Sequence, residues 1–208
     1  GVTPIQEGVI PDKIEAVRVA VLRGKVTDRD GNALSGVRIT VLDHPEFGQT
    51  LTREDGMFDL AVNGGMSLTL TYSKTDYLTA QRQMEVAFQE WVIIADVILT
   101  QVDAQVTEIA SMSTVHQVAR GSEVTDADGT RQATLVIPPN TGASIVMPDG
   151  SSQSITTMNI RATEYTKGPD GLKAMPAELP SQVAYTYCIE VTADEAVAAG
   201  AAEVRFNK

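Results

Sequence analysis

The sequence predicts an all-β protein made of two consecutive β-sandwich-like domains, and three features point that way. Apolar residues recur at every second position: Val37, Ile39 and Val41, then Phe58, Leu60 and Val62, then Leu68, Leu70 and Tyr72. A period of two places one set of side chains on one face of a strand, where it can be buried. Turn formers separate the runs at Asp30-Gly31, Asp55-Gly56, Asn63-Gly64-Gly65, Asp128-Gly129 and Asp149-Gly150. These residues tolerate the positive φ that tight turns require. Helix-forming composition is confined to Asp194 to Gly200, barely two turns.

Residues 1–15 hold Pro4, Gly8 and Pro11 among scattered Ile and Val, and read as a linker or extended arm. The first domain takes residues 16–101. Val17, Val19 and Val21 alternate, and Leu22, Gly24 and Val26 continue on the opposite parity. Such a slip implies a β-bulge or a strand buried on both faces. Val37 to Leu70 follow as four short strands with three turns, a meander that needs a second sheet to cover its buried face. Met84, Val86 and Phe88 alternate, and Trp91 to Leu99 is an apolar run interrupted by Asp96, as in a strand covered on both sides. About seven strands at turn spacings of roughly eight to twelve residues match a sandwich.

The second domain, residues 102–208, begins near Thr100 to Asp103. Strands are expected over Val106 to Ile109, Ser113 to Val118, Ala133 to Pro138, Ala143 to Met147, Ile155 to Tyr165, Ser181 to Val191 and Val204 to Phe206. Thr166 to Ser181 is rich in Pro and Gly and is read as a long loop. Loops of that length are contact surfaces or functional, and Met175 and Leu179 are its candidate partner contacts.

Composition narrows the function. The chain has 208 residues and a net charge of −11, a surface that repels nucleic-acid phosphates and anionic membranes. No apolar run reaches the roughly eighteen residues of a membrane span. Cys188 is the single cysteine, so no intrachain disulfide can form, and its apolar setting suits an inert buried thiol rather than a nucleophile. The first residues carry no signal peptide, and the chain reads as a piece of a longer polypeptide in which a targeting signal lies elsewhere.

No catalytic constellation is visible, and neither a catalytic residue nor a cofactor is assigned. His44 and His116 are the only histidines; neither has a nucleophile with a paired base beside it, and zinc needs more ligands than the chain offers. Asp28 and Asp30 in one turn, and Asp126 and Asp128 in another, are weak calcium candidates. The further ligands and distal Glu of an EF-hand are missing, and the same letters suit hairpin turns. Gly64-Gly65 has no helix after it to cradle a phosphate. Tyr72, Tyr77, Trp91, Tyr165, Tyr185 and Tyr187 would supply a sugar platform, although most fall on core parities.

Leu22-Arg23-Gly24-Lys25-Val26-Thr27-Asp28, with Asp30-Gly31, Leu34, Gly36-Val37 and Asp55-Gly56-Met57-Phe58, resembles the carboxypeptidase-regulatory or transthyretin-like sandwich. A sharper pattern adds Asp43 to Thr50 (Asp-His-Pro-Glu-Phe-Gly-Gln-Thr), Arg53 to Leu60, Val62 to Gly65, Ser67 to Leu70, Tyr77-Leu78 and Gln81-Arg82. Together these resemble the transthyretin-like domain that precedes the shell in teneurins and bacterial YD-repeat (RHS) proteins, over roughly Val21 to Gln101. Phe88-Gln89-Glu90-Trp91 departs from that pattern, lacking a Pro just before the Trp. Thr134 to Pro139, Glu164 to Thr166, Ala174 to Pro180 and Ala184 to Tyr187 resemble the β-rich segment that follows it.

The resemblance implies a non-enzymatic structural segment of a large secreted or cell-surface protein, expected to be bacterial. Its partner would be the remainder of its own polypeptide, a hollow β-shell that the second domain plugs. In bacterial members the shell encloses a toxic or variable domain; in teneurins the assembly serves adhesion. The alternative is a carbohydrate- or protein-binding accessory module of a secreted enzyme or adhesin, with a surface protein or glycan as partner.

Overall fold

The computed structural model describes residues 4–178 and 187–207. It divides into two compact units, Gly1–Gln101 with Asp170–Ala184, and Val102–Pro169 with Tyr185–Lys208. Both are β-rich, as the alternation requires.

The first unit contains β1 (Gln6–Glu7), β2 (Val19–Thr27), β3 (Arg38–Val41), β4 (Gln49–Leu51), β5 (Met57–Asn63), β6 (Met66–Ser73), β7 (Ala80–Val86), β8 (Trp91–Ile93) and β9 (Val97–Ile98). One sheet runs β1-β4-β3-β6-β7, and the other runs β5-β2-β8 with β9 also on β2. Ala20, Leu22, Val26, Phe58, Leu60 and Val62 from one sheet meet Ile39, Val41, Leu68, Leu70 and Tyr72 from the other in a single buried cluster. Phe58 and Tyr72 meet edge to face at 5.8 Å, a geometry favoured by the ring quadrupoles and contributing about 0.5–1.5 kcal/mol beyond burial. Gly24 leaves room for that ring: a Cβ there would lie 2.8 Å from Phe58.

The strands of Val37 to Leu70 lie close to their expected places, but they do not form a meander. β4 folds back on β3, whereas β5 crosses to pair with β2 and β6 returns to β3. Alternation states which side chains are buried, not which sheet a strand joins, so the turns at Asp55-Gly56 and Asn63-Gly64-Gly65 are corners between sheets. The parity slip at Val21-Leu22 also resolves without a bulge. β2 pairs with β5 in unbroken register from Val19 to Lys25, with Ala20, Leu22, Gly24 and Val26 inward and Val17 70% exposed. The run from Trp91 to Leu99 is two short strands rather than one covered strand. Trp91 and Ile93 are exposed, and Val97, Ile98 and Leu99 are buried. This split and the strand in the arm bring the unit to nine described strands.

The described residues of the second unit form three small sheets. One is β10 (Thr107–Ala110), β15 (Thr157–Glu164) and β16 (Ile189–Ala193), in the order β10-β15-β16. β11 (Gln117–Asp126) and β12 (Gly129–Ile137) form a ribbon with an irregularity between Arg120 and Glu123. β13 (Ala143–Val146), β14 (Ser152–Ile155) and β17 (Glu203–Phe206) form the third, β14-β13-β17. Asp194–Ala199 is the short helix α1. Ile109, Ala119, Ile137, Ile145, Met158, Ile160, Ala193 and Ala196 share its core. Ser113 to His116, expected to begin a strand, is an irregular bend before β11. Of the strand expected over Ser181 to Val191, residues 181–186 lie outside the described residues.

Candidate interaction surfaces

In the first unit, the features that distinguish one surface from another are the sheet edges. An edge strand presents unpaired N–H and C=O groups that invite another strand. The N-terminal stretch, read as a linker or extended arm, covers one of them. Gln6 pairs through its backbone with Thr50, while its side-chain amide works on the other sheet. Nε2 donates to the Ala61 carbonyl at 2.9 Å and to that of Phe47 at 2.6 Å, and Oε1 accepts from the Ala61 N–H at 2.7 Å. The amide thus stands in for a neighbouring peptide at the outer edge of β5. Asn63, read from sequence as a turn residue, is buried and holds the arm from below. It accepts from the Glu15 N–H at 2.9 Å and donates to the Lys13 carbonyl at 2.8 Å. Gly48 lets the arm approach: with φ +65°, it has the Glu7 carbonyl 2.1 Å from where a Cβ would stand.

Chain from the long loop covers the start of a second edge. The Gln81 N–H of β7 donates to the Pro176 carbonyl at 2.7 Å. Arg82 donates to the Met175 and Lys173 carbonyls at 3.1 and 2.9 Å. Burial pulls the Arg82 guanidinium below its usual pKa, against the pull of Tyr72 and Glu178. Met175 is buried, 3% exposed; Leu179 lies outside the described residues. Nothing in the sequence flags this pairing, because the strap is some ninety residues from β7 along the chain.

The β8 edge is different. The Val21 N–H donates to the Glu90 carbonyl and the Ile94 N–H to that of Arg23. Val92 therefore faces β2, and the peptide groups of Trp91 and Ile93 face away. Among the described residues, no strand pairs with them. Their side chains are 63% and 72% exposed. Arg23 lies over the Trp91 ring at 5.0 Å and bonds Asp59 at 2.6 Å. Desolvation pushes the Asp59 carboxyl upward, but hydrogen bonds from Arg23 and Arg53 outweigh it and hold the pKa low.

The acidic turns carry bonds of their own. Asp28 Oδ1 accepts from the N–H groups of Asp30 and Asn32, and Oδ2 from the Asn32 amide. Asp126 takes both Nη atoms of Arg131 at 2.8 Å, plus the N–H groups of Asp128 and Gly168. The Arg131 hydrogen bonds hold the Asp126 carboxyl well below its usual range, and those of Asp126 and Glu164 raise Arg131. Arg131 also bonds the buried Glu164, which ties the ribbon tip to β15. Asp30 and Asp128 contribute their backbone N–H to these turns. Among the described residues, no three His, Cys, Asp or Glu gather as a metal would need.

The remaining reactive side chains are separate. His44 stacks on Phe47 and its Nδ1 is 2.9 Å from Glu46; His116 is exposed. Cys188 is partly buried, and that burial, then Glu190, raises its thiol pKa. Burial removes Tyr72 and Tyr165 from a sugar platform, and Tyr185 lies outside the described residues. Trp91 belongs to the first unit and Tyr187 to the second. Among the described residues, no helix is long and apolar enough to cross a membrane.

Comparison with known proteins places this geometry. Residues 14–99 match the family model of the teneurin TTR-like domain. Teneurin-1 of Gallus gallus is 35% identical over 100 residues, 47% of this chain and 4% of that protein. Teneurin-m of Drosophila melanogaster is 42% identical over 83 residues, 40% of this chain and 3% of that protein. The chain thus spans only a few per cent of the relatives it matches, and these animal proteins lend no support to the expected bacterial origin. A solved 3-chlorocatechol 1,2-dioxygenase from Rhodococcus opacus 1CP gives a TM-score of 0.35 at 13% identity, covering 45% of this chain and 63% of that one, too loose a likeness to bear on function. With its two packed sheets and the motif words from Val21 to Gln101, the segment 14–99 is a transthyretin-like domain of the teneurin type.

Proposed function

We propose that the chain is a non-enzymatic structural segment of a large secreted or cell-surface YD-repeat protein. In this reading the transthyretin-like domain braces a β-shell and the second β-rich domain, residues 102–208, plugs it. Any enclosed toxin domain belongs elsewhere in the polypeptide. The observation that carries the reading is the teneurin match over residues 14–99 in a chain that covers a few per cent of its relatives. Side chains such as Gln6, Asn63, Arg82, Asp28 and Arg131 support it, because their bonds hold strands and turns together.

Expressing the chain and the remainder of its natural polypeptide as separate proteins tests the proposal. Co-elution as one stable particle is expected. Two species that stay apart at micromolar concentration would overturn it.

A further inference from the structure

We propose that β8 is a docking edge for an extended, cation-flanked apolar segment, which adds to the β5-β2-β8 sheet as a further strand. The inference does not depend on the bracing role, because it rests on how the unit treats its own edges. The β5 edge has the Gln6 amide at Ala61. The β7 edge has Pro176 at Gln81. β1, the remaining edge of its sheet, is two residues long. Natural sheets blunt edges by covering, shortening or charging them, since an open edge templates another strand. Beyond these covered points the β7 edge continues with the polar Gln83 and Glu85, whereas β8 sets outward peptide groups, unpaired among the described residues, beneath two large, exposed apolar side chains.

The occupant follows from chemistry. Trp91 and Ile93 sit two apart, so both their peptide groups and their side chains serve the same incoming strand. Such a strand gains main-chain hydrogen bonds at the edge and side-chain contact at alternate positions. Glu90 and Asp96 flank the strand, are exposed, and form no ion pair among the described residues. Arg23 is already matched by Asp59. The net charge at the ends of the edge is therefore negative, and Lys or Arg at both ends of the partner completes it. A second copy of this chain, itself at −11, would bring the same carboxylates instead.

Trp91 is the only tryptophan, so its emission reports the edge directly. The probes are the peptides Lys-Val-Thr-Val-Thr-Val-Lys and Glu-Val-Thr-Val-Thr-Val-Glu, titrated into the full 208-residue chain. The lysine peptide is expected to shift the emission to the blue and to bind at least about tenfold tighter than the glutamate peptide, a preference weakened by salt. Ile93→Pro removes an outward N–H without touching the bonds to β2, so it should abolish binding while the far-UV spectrum is kept. Ile93→Thr keeps the N–H and is expected to bind weakly; it distinguishes edge pairing from misfolding. No response to the lysine peptide at about 1 mM, equal response to both peptides, or full binding by Ile93→Pro would overturn the proposal. So would a concentration-dependent shift without peptide, which would make the occupant a second copy.

Discussion

Single side chains decide where the arm of this protein goes. Gln6 and Asn63 each use one amide to satisfy backbone groups distant in sequence. Replacing Gln6 with Ala strips donors and acceptors from Ala61 and Phe47 while leaving the core untouched. A loss of about 1–3 kcal/mol is expected, because partly buried peptide groups lose partners. Chemical denaturation should show it as a lower midpoint with an unchanged slope. Asn63→Ala is expected to cost a similar amount and to expose residues 4–15 to protease. Neither role was legible beforehand. A lone Gln in a Pro- and Gly-containing stretch has no period, and Asn before Gly-Gly reads as a turn whatever else its amide does.

At the scale of elements, the ribbon β11–β12 is held at its tip by Arg131 between Asp126 and Glu164. The Asp126 carboxyl titrates below its unfolded value in the native state. Its contribution is therefore complete above about pH 4 and is lost as pH falls further. Asp126→Asn should lower the melting temperature at pH 7 and flatten its decline between about pH 5 and pH 2. An unchanged acid limb would show that the pair does nothing for stability. The strap is the second element open to trial. Arg82→Met leaves the carbonyls of Lys173 and Met175 without their donor, and cleavage within residues 170–178 should accelerate in limited proteolysis while β-sheet content persists. Strand positions were largely readable from alternation, as β3, β5 and β6 show. Sheet membership was not: Phe58 and Leu70 carry the same pattern yet line opposite sheets. Trp91 misled because a continuous apolar run has no parity with which to say that one part is buried and another exposed.

For the whole molecule, the two compact units interleave in sequence, since Asp170–Ala184 belongs with the first hundred residues. A fragment of residues 1–101 keeps both sheets and the core cluster but lacks the strap. It should fold, with a melting temperature several degrees below that of the first transition in the full chain; a stabilisation of about 1 kcal/mol shifts a domain this size by roughly 4–8 °C. Equal melting temperatures would mean the strap contributes nothing. The sequence supplied the all-β class and the teneurin-type words. A linear boundary near residue 101 left no way to express a segment that returns.

The Gln6 amide has one more effect, on polymerisation. A sheet that can recruit neighbours on both flanks grows without limit, as fibrils do. With a stopper on the β5 flank, copies of the β5-β2-β8 sheet cannot stack head to tail, β8 of one onto β5 of the next. Retaining an unguarded flank is then compatible with solubility, because a single acceptor without a matching donor cannot propagate a chain of copies.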